Sequence, residues 1–88
     1  MLKQYVRNKN IKSRVSFTGY YLYNSNTELV YELNETCFAI WEECVGIFSE
    51  QTITERLKDI YVNINQIEID VKICISTFLK EKIIFEKI

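Results

Sequence analysis

The sequence predicts a small α+β domain, a three-stranded antiparallel sheet followed by three helices. Period-two alternation falls in the part of the chain that ends at Leu33. Beyond it, apolar residues recur at helical spacing in three stretches, each opened by a residue that can cap a helix. A cluster of turn formers, Asn24-Ser25-Asn26-Thr27, sits where the second and third strands must reverse.

Residues 1–10 are polar and basic, with Leu2, Tyr5 and Val6 as the apolar anchors, and read as an arm or a loosely attached extra strand. Ile11–Phe17 alternates, with Ile11, Ser13, Val15 and Phe17 on one side and Lys12, Arg14 and Ser16 on the other. Thr18-Gly19 breaks it, and Tyr20–Tyr23 is aromatic and β-favouring. Leu29–Leu33 makes the third strand, joined to the second as a hairpin around residues 24–28.

Asn34 reads as a helix cap, with Glu35 facing the positive end of the dipole. Cys37, Phe38, Trp41, Cys44 and Val45 form the apolar stripe of this first helix, and Gly46 ends it. Thr52 and Glu55 have the spacing of a capping box for a second helix carrying Ile53, Leu57, Ile60 and Tyr61. Asn65 repeats the cap for a third helix over about Gln66–Glu81, whose stripe is Ile67, Val71, Cys74, Ile75 and Phe78. Trp41, Phe38 and Phe78 are assigned to the core. Ile83–Phe85 is β-favouring and closes the chain.

An 88-residue chain with 48% apolar residues fits one globular domain, over residues 11–88 with 1–10 as a basic arm. Net charge is −1, but residues 1–27 carry five bases and no acid, and residues 28–88 carry twelve acids against six bases. A basic arm on an acidic body suits an acidic partner segment, and equally a solvated tail. No apolar run approaches the length of a membrane span, and no apolar stretch follows the N-terminal charges as in a signal peptide. A cytoplasmic protein without membrane contact is expected.

The chemistry-bearing residues are sparse. There is no His, and two isolated glycines make no phosphate loop. Three cysteines give no disulfide framework, and Cys37 and Cys44, two turns apart on one helix, cannot share a zinc. All three read as small buried hydrophobes. Glu42 and Glu43 read as a solvated face. No catalytic residue, cofactor or metal site is expected.

One stretch is more specific. Leu22-Tyr23, then Val30-Tyr31-Glu32-Leu33-Asn34-Glu35-Thr36 and Ile40-Trp41, followed by a helix opening near Thr52 and by Asp70-Val71, Ile75, Phe78 and Ile83-Ile84, resembles the PqqD-like family of precursor-peptide recognition elements. The resemblance covers roughly residues 11–86. Lys82 departs from it, since the family often has Gly before its closing apolar pair. The resemblance implies a winged-helix-like fold. It also implies that the leader of a ribosomally made precursor peptide adds as a strand beside the third strand, next to the third helix. The domain would then present it to a radical SAM enzyme, a cyclase or a leader peptidase.

The expected peptide-binding residues are Leu29, Val30, Tyr31, Glu32 and Leu33 on the strand, Ile69, Ile73, Ser76 and Thr77 on the helix, and Lys12 and Arg14 for acidic peptide residues. Ile69 and Ile73 point away from the helix's core stripe, which fits either a satellite contact or an apolar binding surface. A free sheet edge offers unpaired backbone groups to such a peptide. The competing readings are a winged-helix nucleic-acid binder, disfavoured by a third helix with Lys72 and Lys80 against Glu68, Asp70 and Glu81, and a dimerisation domain that pairs its own edge.

Overall fold

A computed structural model describes residues 2–88; Met1, part of the expected arm, lies outside the described residues. The elements in order are β1 (Tyr5–Arg7), β2 (Ile11–Ser16), β3 (Gly19–Asn24), β4 (Val30–Leu33), α1 (Glu35–Glu43), α2 (Glu50–Leu57), α3 (Ile64–Lys80) and β5 (Ile84–Glu86). β2, β3 and β4 form the expected antiparallel sheet, with β4 at its edge, and the three helices follow. A second, two-stranded sheet joins β1 to β5.

That ribbon changes the reading of the N-terminus. Residues 5–7 are a strand, and Tyr5 is buried at 3% exposure. Tyr5 exchanges backbone hydrogen bonds with Phe48, Asn8 N–H donates to Ile83 O, and Lys87 N–H donates to Gln4 O. The Arg7 guanidinium donates to Trp41 O at 2.6 Å and lies 3.8 Å from the centre of the Trp41 ring. Burial lowers its pKa. α1 has no basic residue in its last turn, so Arg7 and Arg56, which donates to Glu43 O, bring cations to its negative end.

The core packs β3 and the inner faces of the helices into one cluster. Leu22, Ile40, Val71 and Phe78 are fully buried, and the Trp41 and Phe78 rings meet edge-on at 6.1 Å. In the sheet, Lys12 pairs with Tyr23 and Tyr23 with Val30, while Arg14 pairs with Tyr21 and Tyr21 with Glu32. Of the side that carries Ile11, Ser13, Val15 and Phe17, Ile11 alone is buried. Val15 and Phe17 are exposed, so the far end of the β2–β3 hairpin extends past the layer that the helices cover.

Helix boundaries shift from the sequence reading for local reasons. Asn34 caps α1 as expected, accepting from Cys37 N–H. α2 begins three residues early. Phe48 is buried and held by Tyr5, so Ser49 becomes the cap, and Thr52 closes the capping box from the third position. It ends at Leu57, leaving Ile60 exposed and Tyr61 half-buried. α3 is capped by Asn63 rather than Asn65. Its C-terminus closes on Lys82, at φ 59°, with Ile83 N–H donating to Phe78 O and Lys82 N–H to Leu79 O. Among the described residues no helix is long and apolar enough to cross a membrane.

Candidate functional site

β4 is one of the two edge strands of the sheet, β2 being the other. In an antiparallel ladder alternate residues bond to the partner strand, and those between turn both backbone groups away. Asn24 N–H donates to Leu29 O, and the register carries that pattern to Leu22 with Tyr31 and Tyr20 with Leu33. Val30 and Glu32 therefore direct their N–H and C=O groups to the free edge. Their side chains share the open sheet face, where Val30 is 60% exposed. Tyr31 and Leu33 are half-buried and pack against the core, which fixes the strand's orientation.

Two depressions flank this region, one between the β3–β4 side and the C-terminal end of α3, the other between the start of α1 and the middle of α3. One, of about 230 Å³, is lined by Asn24, Thr27, Leu29 and Tyr31 together with Lys80, Glu81 and Lys82. The other, of about 300 Å³, is lined by Asn34, Thr36 and Cys37 at the start of α1 and by Asp70, Ile73 and Cys74 on α3. The first depression carries two lysines and the Glu81 carboxylate, the second the Asp70 carboxylate. A larger depression lies between α2 and α3, and there Lys72 bridges to Glu50 at 3.3 Å.

The expected residues divide accordingly. Leu29 and Tyr31 line the first depression and Ile73 the second. Ile69 and Ile73 are 50% and 59% exposed, so the core does not use them. Ile69 lines neither depression. Ser76 and Thr77 are exposed, and helical spacing sets Thr77 on the flank of Asp70, Ile73 and Cys74, with Ser76 beside Ile69. Lys12 and Arg14 stand on β2, two strands from β4, about 10 Å away at ordinary strand spacing. They share the open sheet face with Val30 and Glu32 and line neither depression.

Asn34, Thr36, Cys37, Asp70 and Cys74 were not anticipated at the second depression. The spacing of Asp70, Cys74 and Thr77 marks one flank of α3, but only tertiary contact shows that Asp70 and Cys74 meet the start of α1. The same contact brings two thiols together: Cys74 Sγ lies 2.8 Å from Cys37 Sγ. The hydrogen bond from Cys74, outweighing burial, lowers the pKa of Cys37, while it and burial raise that of Cys74. Cys44 is fully buried, donates to Ile40 O, and its pKa is pushed up to about 12 by burial. Among the described residues no cluster of three or more His, Cys, Asp or Glu could hold a metal.

Residues 19–84 match the family model described as Coenzyme PQQ synthesis protein D (PqqD). No curated protein sequence matches the chain. A solved structure described as a lasso peptide synthetase B1 complexed with the leader peptide is similar in fold. It is 20% identical, with 91% of this chain and 94% of that one covered and a TM-score of 0.70.

Proposed function

The chain belongs to the PqqD family, and from that premise we propose that it is a non-catalytic recognition domain. It binds the leader of a ribosomally made precursor peptide as an added strand on β4 and presents it to a modifying enzyme, of the radical SAM, cyclase or leader peptidase kind. The observation that carries this reading is the β4 edge, where Val30 and Glu32 offer unpaired backbone groups near the depression that Leu29 and Tyr31 share with the C-terminal end of α3. The fold neighbour described with a leader peptide supports it.

The energetics are sufficient. Each added backbone hydrogen bond contributes roughly 0.5–1.5 kcal/mol net, and one apolar anchor buried against Ile73 about 1.5–3 kcal/mol. A micromolar complex corresponds to about −8 kcal/mol. Leu29, Val30, Tyr31, Glu32 and Leu33 form the strand side of this site, and Ile73 and Thr77 its helix side. Ile69 and Ser76 extend it on the outer face of α3. Lys12 and Arg14 meet acidic residues flanking the docked segment, across the open sheet face. Residues 2–88 act as one peptide-binding domain.

Hydrogen exchange with a synthetic leader, from the precursor peptide encoded beside this gene, tests the reading. The Val30 and Glu32 amides exchange rapidly in the free chain and become protected on binding. Protection elsewhere, or protection of the same amides by self-association without peptide, overturns it.

A further inference from the structure

Cys37 and Cys74 lie 37 residues apart in sequence and touch only because α1 packs on α3. Three observations set them apart from ordinary core cysteines. Their sulfurs are 2.8 Å apart, so closing to a bonded distance of about 2.0 Å needs a shift of under about 1 Å. Cys37 is half-buried and Cys74 is 8% exposed, and both line the depression with Asn34, Thr36, Asp70 and Ile73, so the pair can be reached from it. Cys37 is also the third residue after the Asn34 cap, within the first turn of α1, where the helix's positive end favours a thiolate.

We propose that Cys37 and Cys74 form a reversible dithiol–disulfide site on the floor of that depression, oxidised by small disulfides of the glutathione type. Cys37 loses its proton to solvent and its thiolate attacks one sulfur of the oxidant. A Cys37–glutathione bond forms, the glutathione disulfide bond breaks, and one glutathione leaves as thiolate and is protonated. Capping Cys37 removes the acceptor that held the Cys74 proton, so the hydrogen bond no longer raises the pKa of Cys74. Cys74 then loses its proton to solvent and attacks the Cys37 sulfur, expelling the second glutathione. Two protein thiols become one disulfide and one glutathione disulfide becomes two thiols. The product fastens α1 to α3 beneath the depression that Ile73 lines. Its effect on peptide capture rests on the function proposed above; its formation does not.

The test equilibrates the full chain in buffers of graded oxidised-to-reduced glutathione ratio, quenches with acid, alkylates and maps the peptides by mass spectrometry. Cys37 and Cys74 lose alkylation together, appear in one linked peptide and recover with dithiothreitol, while Cys44 is alkylated only after denaturation. Cys74→Ser stops at a single glutathione adduct on Cys37, and Cys37→Ser takes no adduct on Cys74. The proposal fails if the parent chain stops at the glutathione adduct, if Cys37 joins two chains, or if both thiols stay alkylatable throughout. Calorimetry of both redox forms with the synthetic leader separates the two readings: a chain that cross-links but binds no leader keeps the dithiol site and loses the peptide-binding function.

Discussion

Ile73 is the side chain on which the helix side of the proposed peptide site depends. It is 59% exposed, one residue from Cys74, which points inward at 8%. Ile73→Glu should weaken leader binding at least tenfold, about 1.4 kcal/mol, with little change in melting temperature. Cys74→Glu should unfold the domain, because it buries a carboxylate without a partner. Calorimetry and thermal melts compare them, and a melting loss in Ile73→Glu like that in Cys74→Glu would place Ile73 in the core. In the proposed site Lys12 and Arg14 would act at longer range. Replacing both with Ala should slow leader association at low salt, and the difference should vanish at high salt as the charges are screened. Equal association rates at low ionic strength would take them out of the mechanism.

Among the elements, β4 and the end of α3 make the sharpest demands. Proline at Val30 or Glu32 removes a donor that faces away from β3, so both variants should stay folded and lose leader binding. Proline at Tyr31 removes a donor inside the ladder and should disrupt the sheet. Circular dichroism beside calorimetry checks all three, and leader binding of parental strength by both edge variants would move the docking strand elsewhere. At the end of α3, Lys82 holds a left-handed conformation at φ 59°. The turn's hydrogen bonds and the burial of Ile83 against Phe78 require it. A non-glycine residue pays for that conformation, so Lys82→Gly should stabilise the domain by about 0.5–1 kcal/mol in urea unfolding. Destabilisation there would mean that the lysine side chain makes contacts worth more than the backbone strain.

At the scale of the whole molecule, the N-terminal segment joins the two ends of the chain. β1 holds β5 and Phe48 together, buries Tyr5 and brings Arg7 to the end of α1. Removing residues 1–7 should cost at least about 3 kcal/mol, from the buried Tyr5 and the charge-assisted bond to Trp41. A truncated chain that melts like the parent would return the segment to a dispensable arm. The sequence by itself determined the order of strands and helices, the hairpin turn, the Asn34 cap and the inward stripe of α3. These follow from periodicity and from bonds between residues a few positions apart. It also marked Ile69 and Ile73 as surplus to the core. Of the stripe expected for α1, Phe38 and Trp41 are buried inside the helix, whereas Val45 lies past its end and is exposed. Only the tertiary structure decided that residues 5–7 pair with 84–86, that Ser49 rather than Thr52 caps α2, that Asp70, Ile73 and Cys74 face the start of α1, and that Cys37 meets Cys74. Each of these depends on contact between segments distant in sequence. Local patterning says which face of an element is apolar, but not which neighbour will cover it.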